Sequence, residues 1–225
     1  NRMLRRRRYS TQMFRSVMLF QHTSKSPLME VYHTLRANVQ SQLANPRQMV
    51  LLFTSAGVAE GKTLTAVNFC LAAAHSGMKT LLVEADLRRA SIYQHFGMRG
   101  DSGFLEVLSG KGSWQEHVSG TVDFLMGDLD LDKMLAFPGI ENFKVMAGKA
   151  RNPHIVDLLS GPRLGPLVEE LRGHFDVVVF DCSPVMLFVD ALHIGGHCDG
   201  VIMVYKSGKM APGALKRAKD QVIAA

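Results

Sequence analysis

The chain is poor in cysteine. Cys70, Cys182 and Cys198, the three in 225 residues, show neither CxxC spacing nor the even count of a disulfide scaffold, which reads as reduced thiols of a cytosolic protein. Long apolar runs are missing too. Nothing approaches the roughly 20 residues of a spanning helix, and Val17-Met18-Leu19-Phe20 is too short for a signal-peptide core. The chain starts at Asn1 rather than Met, so a preceding part that spans a membrane stays open. Acidic residues are absent before Glu30. Residues 1–29 carry seven Arg and Lys, whereas the remainder sums to −1, so the formal charge of +6 is a property of the tail. Such a tail is drawn to an anionic membrane surface or to other phosphate-bearing surfaces through salt-screened attraction, or is a solvated linker. No specific nucleic acid is expected as a partner.

What is present suits one sizeable core: 47% hydrophobic residues, and twenty glycines spread among short connections. The division expected is a basic tail or linker over 1–25 and one domain over 26–225. Leu28, Val31, Leu35, Val39 and Leu43 recur at three- and four-residue steps and predict an amphipathic helix over 26–45, stopped by Asn45-Pro46. Four apolar runs, Met49–Phe53, Thr80–Val83, Val177–Phe180 and Val201–Tyr205, are continuous rather than alternating, as strands covered on both faces are. Helical stretches fall between them, over Thr63–Ser76, Pro162–Phe175 and Val189–His197, with a closing helix over Gly213–Ala224. The sum is an α/β fold with a doubly wound, mostly parallel sheet. Residues 97–141 read as short helices and loops. Asp128, Asp130 and Asp132 alternate like a calcium loop but lack its glycine and closing glutamate.

The strongest chemical signal is Ala56-Gly57-Val58-Ala59-Glu60-Gly61-Lys62-Thr63, between a buried strand and a helix. Polyphosphate binding needs inward backbone N–H groups and a helix N-terminus, which this P-loop pattern supplies. Gly57, Val58, Ala59, Glu60, Gly61, Lys62, Thr63 and Leu64 are therefore the expected ATP-binding residues, with Lys62 on the β- and γ-phosphates and Thr63 on Mg²⁺. The pattern wants glycine where Ala56 stands, so backbone strain is expected there. A second strand ends in Glu84-Ala85-Asp86-Leu87-Arg88, whose two carboxylates are expected to point together, for Mg²⁺ and for an acceptor proton. The alternative pairs Glu84 with Arg88. A third, Val177-Val178-Val179-Phe180-Asp181, is a Walker B strand whose aspartate suits Mg²⁺. Cys182 beside it reads as an inert buried thiol. His193 and His197 stand i, i+4 but lack further zinc ligands, and Gly195-Gly196 weakens the helix between them.

With these motifs, residues 26 to about 224 resemble the cytoplasmic domain of bacterial tyrosine kinases, the BY-kinases of capsule and exopolysaccharide export. Ala56–Thr63, Glu84–Arg88 and Asp181–Pro184 match its three motifs. Glu30 to Arg36, Asn152-Pro153 and Asp190-Ala191 agree in order. The resemblance implies a P-loop NTPase fold of the MinD-like type and ATP- and Mg²⁺-dependent phosphorylation of tyrosine, with Lys62, Glu84, Asp86 and Asp181 catalytic and Thr63, Asp86 and Asp181 at the metal. It also implies a homo-oligomer formed through Glu30, His33 and Arg36. The implied partner is a membrane polysaccharide co-polymerase, in cis or as a separate chain, at the inner face of the cell membrane. Val58-Ala59 stand where the family has Pro-Gly, Glu84 where it has aspartate and His33 where it has arginine, and a C-terminal tyrosine cluster is missing. Of Tyr9, Tyr32, Tyr93 and Tyr205, Tyr205 is expected in a buried strand and Tyr9 is the most accessible. Two readings compete: a regulatory ATP-binding module of the same export system, and a partitioning or positioning ATPase. The latter relatives carry a lysine where Gly57 stands.

Overall fold

The computed structural model describes residues 14–22, 25–98, 103–120, 123, 131–148, 154–209 and 211–224. Five strands, β1 Met49–Ser55, β2 Thr80–Ala85, β3 Phe143–Met146, β4 Val177–Cys182 and β5 Gly200–Val204, form one parallel sheet in the order β3-β2-β4-β1-β5. The helices are α1 Pro27–Gln42, α2 Lys62–His75, α3 Ile92–Phe96, α4 Phe104–Leu108, α5 Leu131–Leu135, α6 Ile155–Leu159, α7 Leu164–His174, α8 Asp190–Gly195 and α9 Pro212–Ile223.

Alternate strand residues feed two cores. Met49, Leu51, Phe53, Leu82, Val177 and Val179 pack under α1 and α2, and Val50, Leu52, Leu81, Val83, Val178 and Phe180 pack under α4, α6, α7 and α8. This two-sided cover is why the strand sequences show no polar alternation. The register pairs Phe53 and Glu84 with Asp181 on neighbouring strands, which brings the three motifs to one C-terminal edge of the sheet, where ligands of open α/β sheets bind.

Ser26 caps α1, its hydroxyl accepting from the Met29 N–H at 3.3 Å, and Pro27 follows at the first helical position. Leu28, Leu35, Val39 and Leu43 pack inward, but Val31 is 61% exposed and Met29 and Tyr32 are the buried residues, so the predicted stripe was rotated by part of a turn. Strand β3 escaped prediction because four residues containing Lys144 make a weak pattern. Strand β5 ends at Val204. Tyr205, expected to be buried, is 58% exposed.

Ahead of α1 a short strap, residues 14–22, lies against α2 and α3. Met18, Leu19 and Phe20 are buried, Asn68 accepts from the Leu19 N–H and donates to the Val17 carbonyl, both at 2.9 Å, and Arg15 donates to the carbonyls of His95 and Gln94. Part of the expected linker is therefore packed. Residues 1–13, with Tyr9 and five of the basic tail's six arginines, lie outside the described residues, as do Asp128, Asp130 and Asn152-Pro153. Asp132 falls within α5. Among the described residues no helix is long and apolar enough to cross a membrane.

Candidate active site

The turn after β1 wraps the N-terminus of α2. Gly61 takes φ +92° as the residue before the helix, and Ala59 takes φ +55°, the one non-glycine residue at positive φ among those described. The strain expected at Ala56 is therefore found at Ala59, where a Cβ in the left-handed region costs about 1–2 kcal/mol. Lys62, at the first position of α2, is 7% exposed. Its Nζ donates to Asp181 Oδ1 at 2.5 Å, lies 3.6 Å from Asp86 Oδ2 and reaches Thr63 Oγ1 at 3.5 Å. Burial alone pulls the ammonium down, but Asp181 and Asp86 outweigh it and hold Lys62 above its ordinary value. Asp86 is displaced upward by its own burial against the pull of Lys62, and its Oδ1 is buried without a partner.

Glu84 is placed differently from Asp86. The strand ends at Ala85, so the two carboxylates do not share a face as expected. Glu84, 1% exposed, accepts the Ile92 N–H at 2.7 Å, the Ser91 N–H, and the Gly148 N–H at 2.9 Å. Burial pushes its pKa up to about 7, while those three N–H donors pull the other way. It does not line the cleft in front of the P-loop. Glu84 is a clamp on the backbone of α3 and of the segment after β3, and the role of acceptor base does not fit its position. A Cβ at Gly148 would stand 2.9 Å from the Glu84 carbonyl oxygen, so the close approach requires glycine there.

Arg88 does not pair with Glu84. Its Nε and Nη2 donate to the two oxygens of Asp190, which is 0% exposed, at 3.0 and 3.1 Å, and the Phe188 ring lies 4.3 Å from the guanidinium. Ser183 Oγ donates to the same carboxylate at 2.9 Å, and Thr54 Oγ1 donates to the Ser183 carbonyl at 2.8 Å. One network thus ties the ends of β1, β2 and β4 to α8. Lys209, from the turn after β5, donates to the carbonyls of Val58 and Ala59. Asp190 as a clamp, Lys209, and the strap residues Phe14 and Val17 went unassigned in the sequence reading because their partners lie up to 151 positions away.

The expected ATP-binding residues Gly57 to Leu64 all line one cleft of about 620 Å³, together with Asp86, Arg89, Ser91, His95, Pro184, Phe14 and Val17. Glu60 is 5% exposed there and neither carboxylate oxygen has a partner. Cys182 is fully buried and burial drives its thiol far up, the inert state expected. Helix α8 ends at Gly195, so it does not present His193 and His197 on one face. On α1, Glu30 is exposed beside Val31. His33 and Arg36 are half-buried, with Arg36 donating to Gln40 at 2.5 Å. Burial, then His75 and Arg36, lower the His33 pKa, so its neutral form dominates near neutrality.

A strand-to-helix turn with a lysine held between two carboxylates, on a parallel sheet, defines an α/β domain of the P-loop type. No family model matches the chain. It is 31% identical over 193 residues to the tyrosine-protein kinase CpsD of Streptococcus pneumoniae, covering 86% of this chain and 77% of that kinase. It is 29% identical over 194 residues to the succinoglycan biosynthesis transport protein ExoP of Rhizobium meliloti, covering 86% of this chain and 23% of that protein. Among solved structures, the chimerical protein CapA2B2 superposes with a TM-score of 0.79 over 93% of this chain and 84% of its own, at 22% identity. The kinase domain of the Escherichia coli tyrosine kinase ETK follows at 0.78 over 94% and 74%, at 22% identity. The MinD protein of Pyrococcus horikoshii, complexed with Mg-ADP, reaches 0.53 over 69% and 57%, at 22% identity. The chain belongs to the bacterial tyrosine-protein kinase family, on a MinD-like P-loop fold.

Proposed function

We propose that the protein is an ATP-dependent protein-tyrosine kinase of a capsule or exopolysaccharide export system. The observation that carries this reading is the Lys62 ammonium held between Asp181 and Asp86 at the N-terminus of a fourteen-residue helix. The residues fit Mg-ATP. The turn over Gly57–Lys62 and the positive end of α2 suit a polyphosphate, and Lys62 would hold its β- and γ-oxygens. Thr63, Asp86 and Asp181 are oxygen donors of the kind Mg²⁺ takes. The buried, unpartnered Asp86 Oδ1 marks a position where a ligand belongs. Bound nucleotide supplies the phosphoryl group, and the metal offsets its charge.

The chain's own part is positioning and proton transfer. With Mg-ATP bound, Lys62 would turn from its carboxylates to the phosphate oxygens, and Asp86 and Asp181 would hold the metal, whose charge would keep Asp181 from being left buried and uncompensated. Asp86 Oδ1 is the group that takes the acceptor phenol's proton. Asp190, through Arg88 and Ser183, holds the two motif loops in register. Assembly with a membrane polysaccharide co-polymerase, homo-oligomer formation through Glu30, His33 and Arg36, and a position at the inner membrane face, aided by the basic tail, complete the reading. The likeness to ExoP, a polysaccharide transport protein, supports the export setting.

A regulatory module that binds ATP without transferring phosphate is the second reading. The observation favouring it is Glu84, which is spent on backbone N–H groups outside the cleft. Asp86→Asn separates the two. The kinase reading expects transfer to a supplied tyrosine peptide to vanish while ATP still binds. Transfer unchanged in Asp86→Asn would reject Asp86 as the base, and ATP binding with no transfer in the native chain would establish the regulatory module.

A further inference from the structure

The turn ahead of α2 holds a shape that its own residues do not favour. Ala59 stands at φ +55°, where an L side chain is strained, and Val58 before it has no ring to fix its backbone. The sheet brings a second turn alongside. Ser55 at the end of β1 pairs with Val204 at the end of β5, so the turns that follow the two strands leave the same edge side by side. In the β5 turn Gly208 takes φ +75° and the Lys209 N–H donates to the Lys206 carbonyl at 3.2 Å, which folds the chain back toward its neighbour. Lys209 Nζ then donates to the carbonyls of Val58 and Ala59, the latter at 3.0 Å. Ser55 Oγ donates to the Gly57 carbonyl at 2.7 Å, so three successive carbonyls of the strained turn each accept a side-chain donor.

Peptide planarity carries that restraint to the opposite side. In a trans peptide the C=O and the following N–H point in opposite directions, so donors on the carbonyls of Gly57, Val58 and Ala59 turn the N–H groups of Val58, Ala59 and Glu60 away from them. Those three N–H groups have no acceptor among the described residues, and their residues line the cleft, whereas Lys209 does not. A cation on a carbonyl also polarises its peptide and strengthens the N–H at the far end as a donor. We infer that Lys209 is a positioning residue for the nucleotide: it fixes and polarises the Val58–Ala59 and Ala59–Glu60 peptides so that their N–H groups meet the polyphosphate, without touching it itself. The inference rests on the reading that this turn binds Mg-ATP.

Isothermal titration calorimetry of the full chain with Mg-ATP, and separately with Mg-ADP, tests it. Lys209→Met keeps most of the stem and removes the donor. It should weaken both nucleotides alike by about three- to tenfold, the scale of charge-assisted hydrogen bonds partly screened by water. Circular dichroism should show the variant folded, because Lys209 is exposed. Lys209→Arg, whose guanidinium also offers several donors, should restore affinity to within about twofold. Ala59→Gly added to Lys209→Met should recover part of the loss, since glycine takes φ +55° without a Cβ penalty. A loss confined to ATP would mean that Lys209 reaches the γ-phosphate directly and would overturn the positioning role. Unchanged affinity in Lys209→Met, or no recovery in the double variant, would overturn it as well, with the Mg-ATP reading intact. A native chain that binds neither nucleotide would overturn both.

Discussion

The substitution Glu84→Gln should remove a pH dependence of stability that the buried carboxyl imposes. Burial raises the Glu84 pKa from 4.5 to about 7, so the folded state holds its proton where the unfolded chain has released it. The stabilisation from that proton is fully present below pH 4.5 and is lost as pH rises through 7. At about 1.4 kcal/mol per pKa unit, the protein should lose about 2.5 kcal/mol between pH 5 and pH 8 from this residue, or about 5–10 °C in Tm. The variant's amide side chain cannot ionise. Its carbonyl oxygen can keep the Ser91 and Ile92 N–H groups, but its NH₂ would face the Gly148 N–H, at a cost of about 1–3 kcal/mol at every pH. The two melting curves should therefore lie apart at pH 5 and approach each other at pH 8, since other titrating groups act on both proteins alike. Thermal unfolding followed by circular dichroism across that range reads the difference. Parallel profiles for the two proteins would refute the reasoning and mean that Glu84 stays ionised throughout, held by its three N–H donors.

The strained turn gives a change of opposite sign: Ala59→Gly should raise stability by about 1 kcal/mol, because glycine takes φ +55° without the Cβ penalty, and an unchanged Tm would deny the strain. Lys62→Ala leaves Asp181, 1% exposed, without its cation and should cost about 3–5 kcal/mol. Part of that loss should return on adding Mg²⁺, and calorimetry showing no recovery would argue against a metal at Asp181. Arg88→Ala should cost about 3 kcal/mol, toward the low end for a buried pair because the arginine is a third exposed. In a double-mutant cycle, Asp190→Ala added to Arg88→Ala should cost much less than the sum of the two single changes, and simple additivity would dissolve the clamp.

The P-loop and the Walker B strand were legible because each is a contiguous run whose physics is local: small residues before a helix N-terminus, and four apolar residues ending in aspartate. The sheet was legible for the same reason, except for β3, whose four residues hide a lysine. The faces of side chains were less so. Glu84 and Asp86 share a face on paper, but the strand stops between them, and only the fold shows Glu84 turning to Ser91, Ile92 and Gly148. The misplaced strain has a similar origin, since a pattern says where glycine is customary and the backbone says which residue turns left-handed. The strap, Lys209 and the Arg88–Asp190 clamp were not assigned because each is a tertiary contact with no local signature.

Phosphoryl transfer to tyrosine is assigned to the cleft lined by Lys62 and Asp86, with Asp181 buried against Lys62. The most direct test is phosphotyrosine formed on a supplied acceptor peptide with radiolabelled Mg-ATP, in the native chain and in Lys62→Ala at a temperature where both remain folded. The account predicts label in the native chain and none above background in the variant. Equal label in both would contradict it, and label in neither despite bound ATP would leave a nucleotide-binding regulator in place of a kinase.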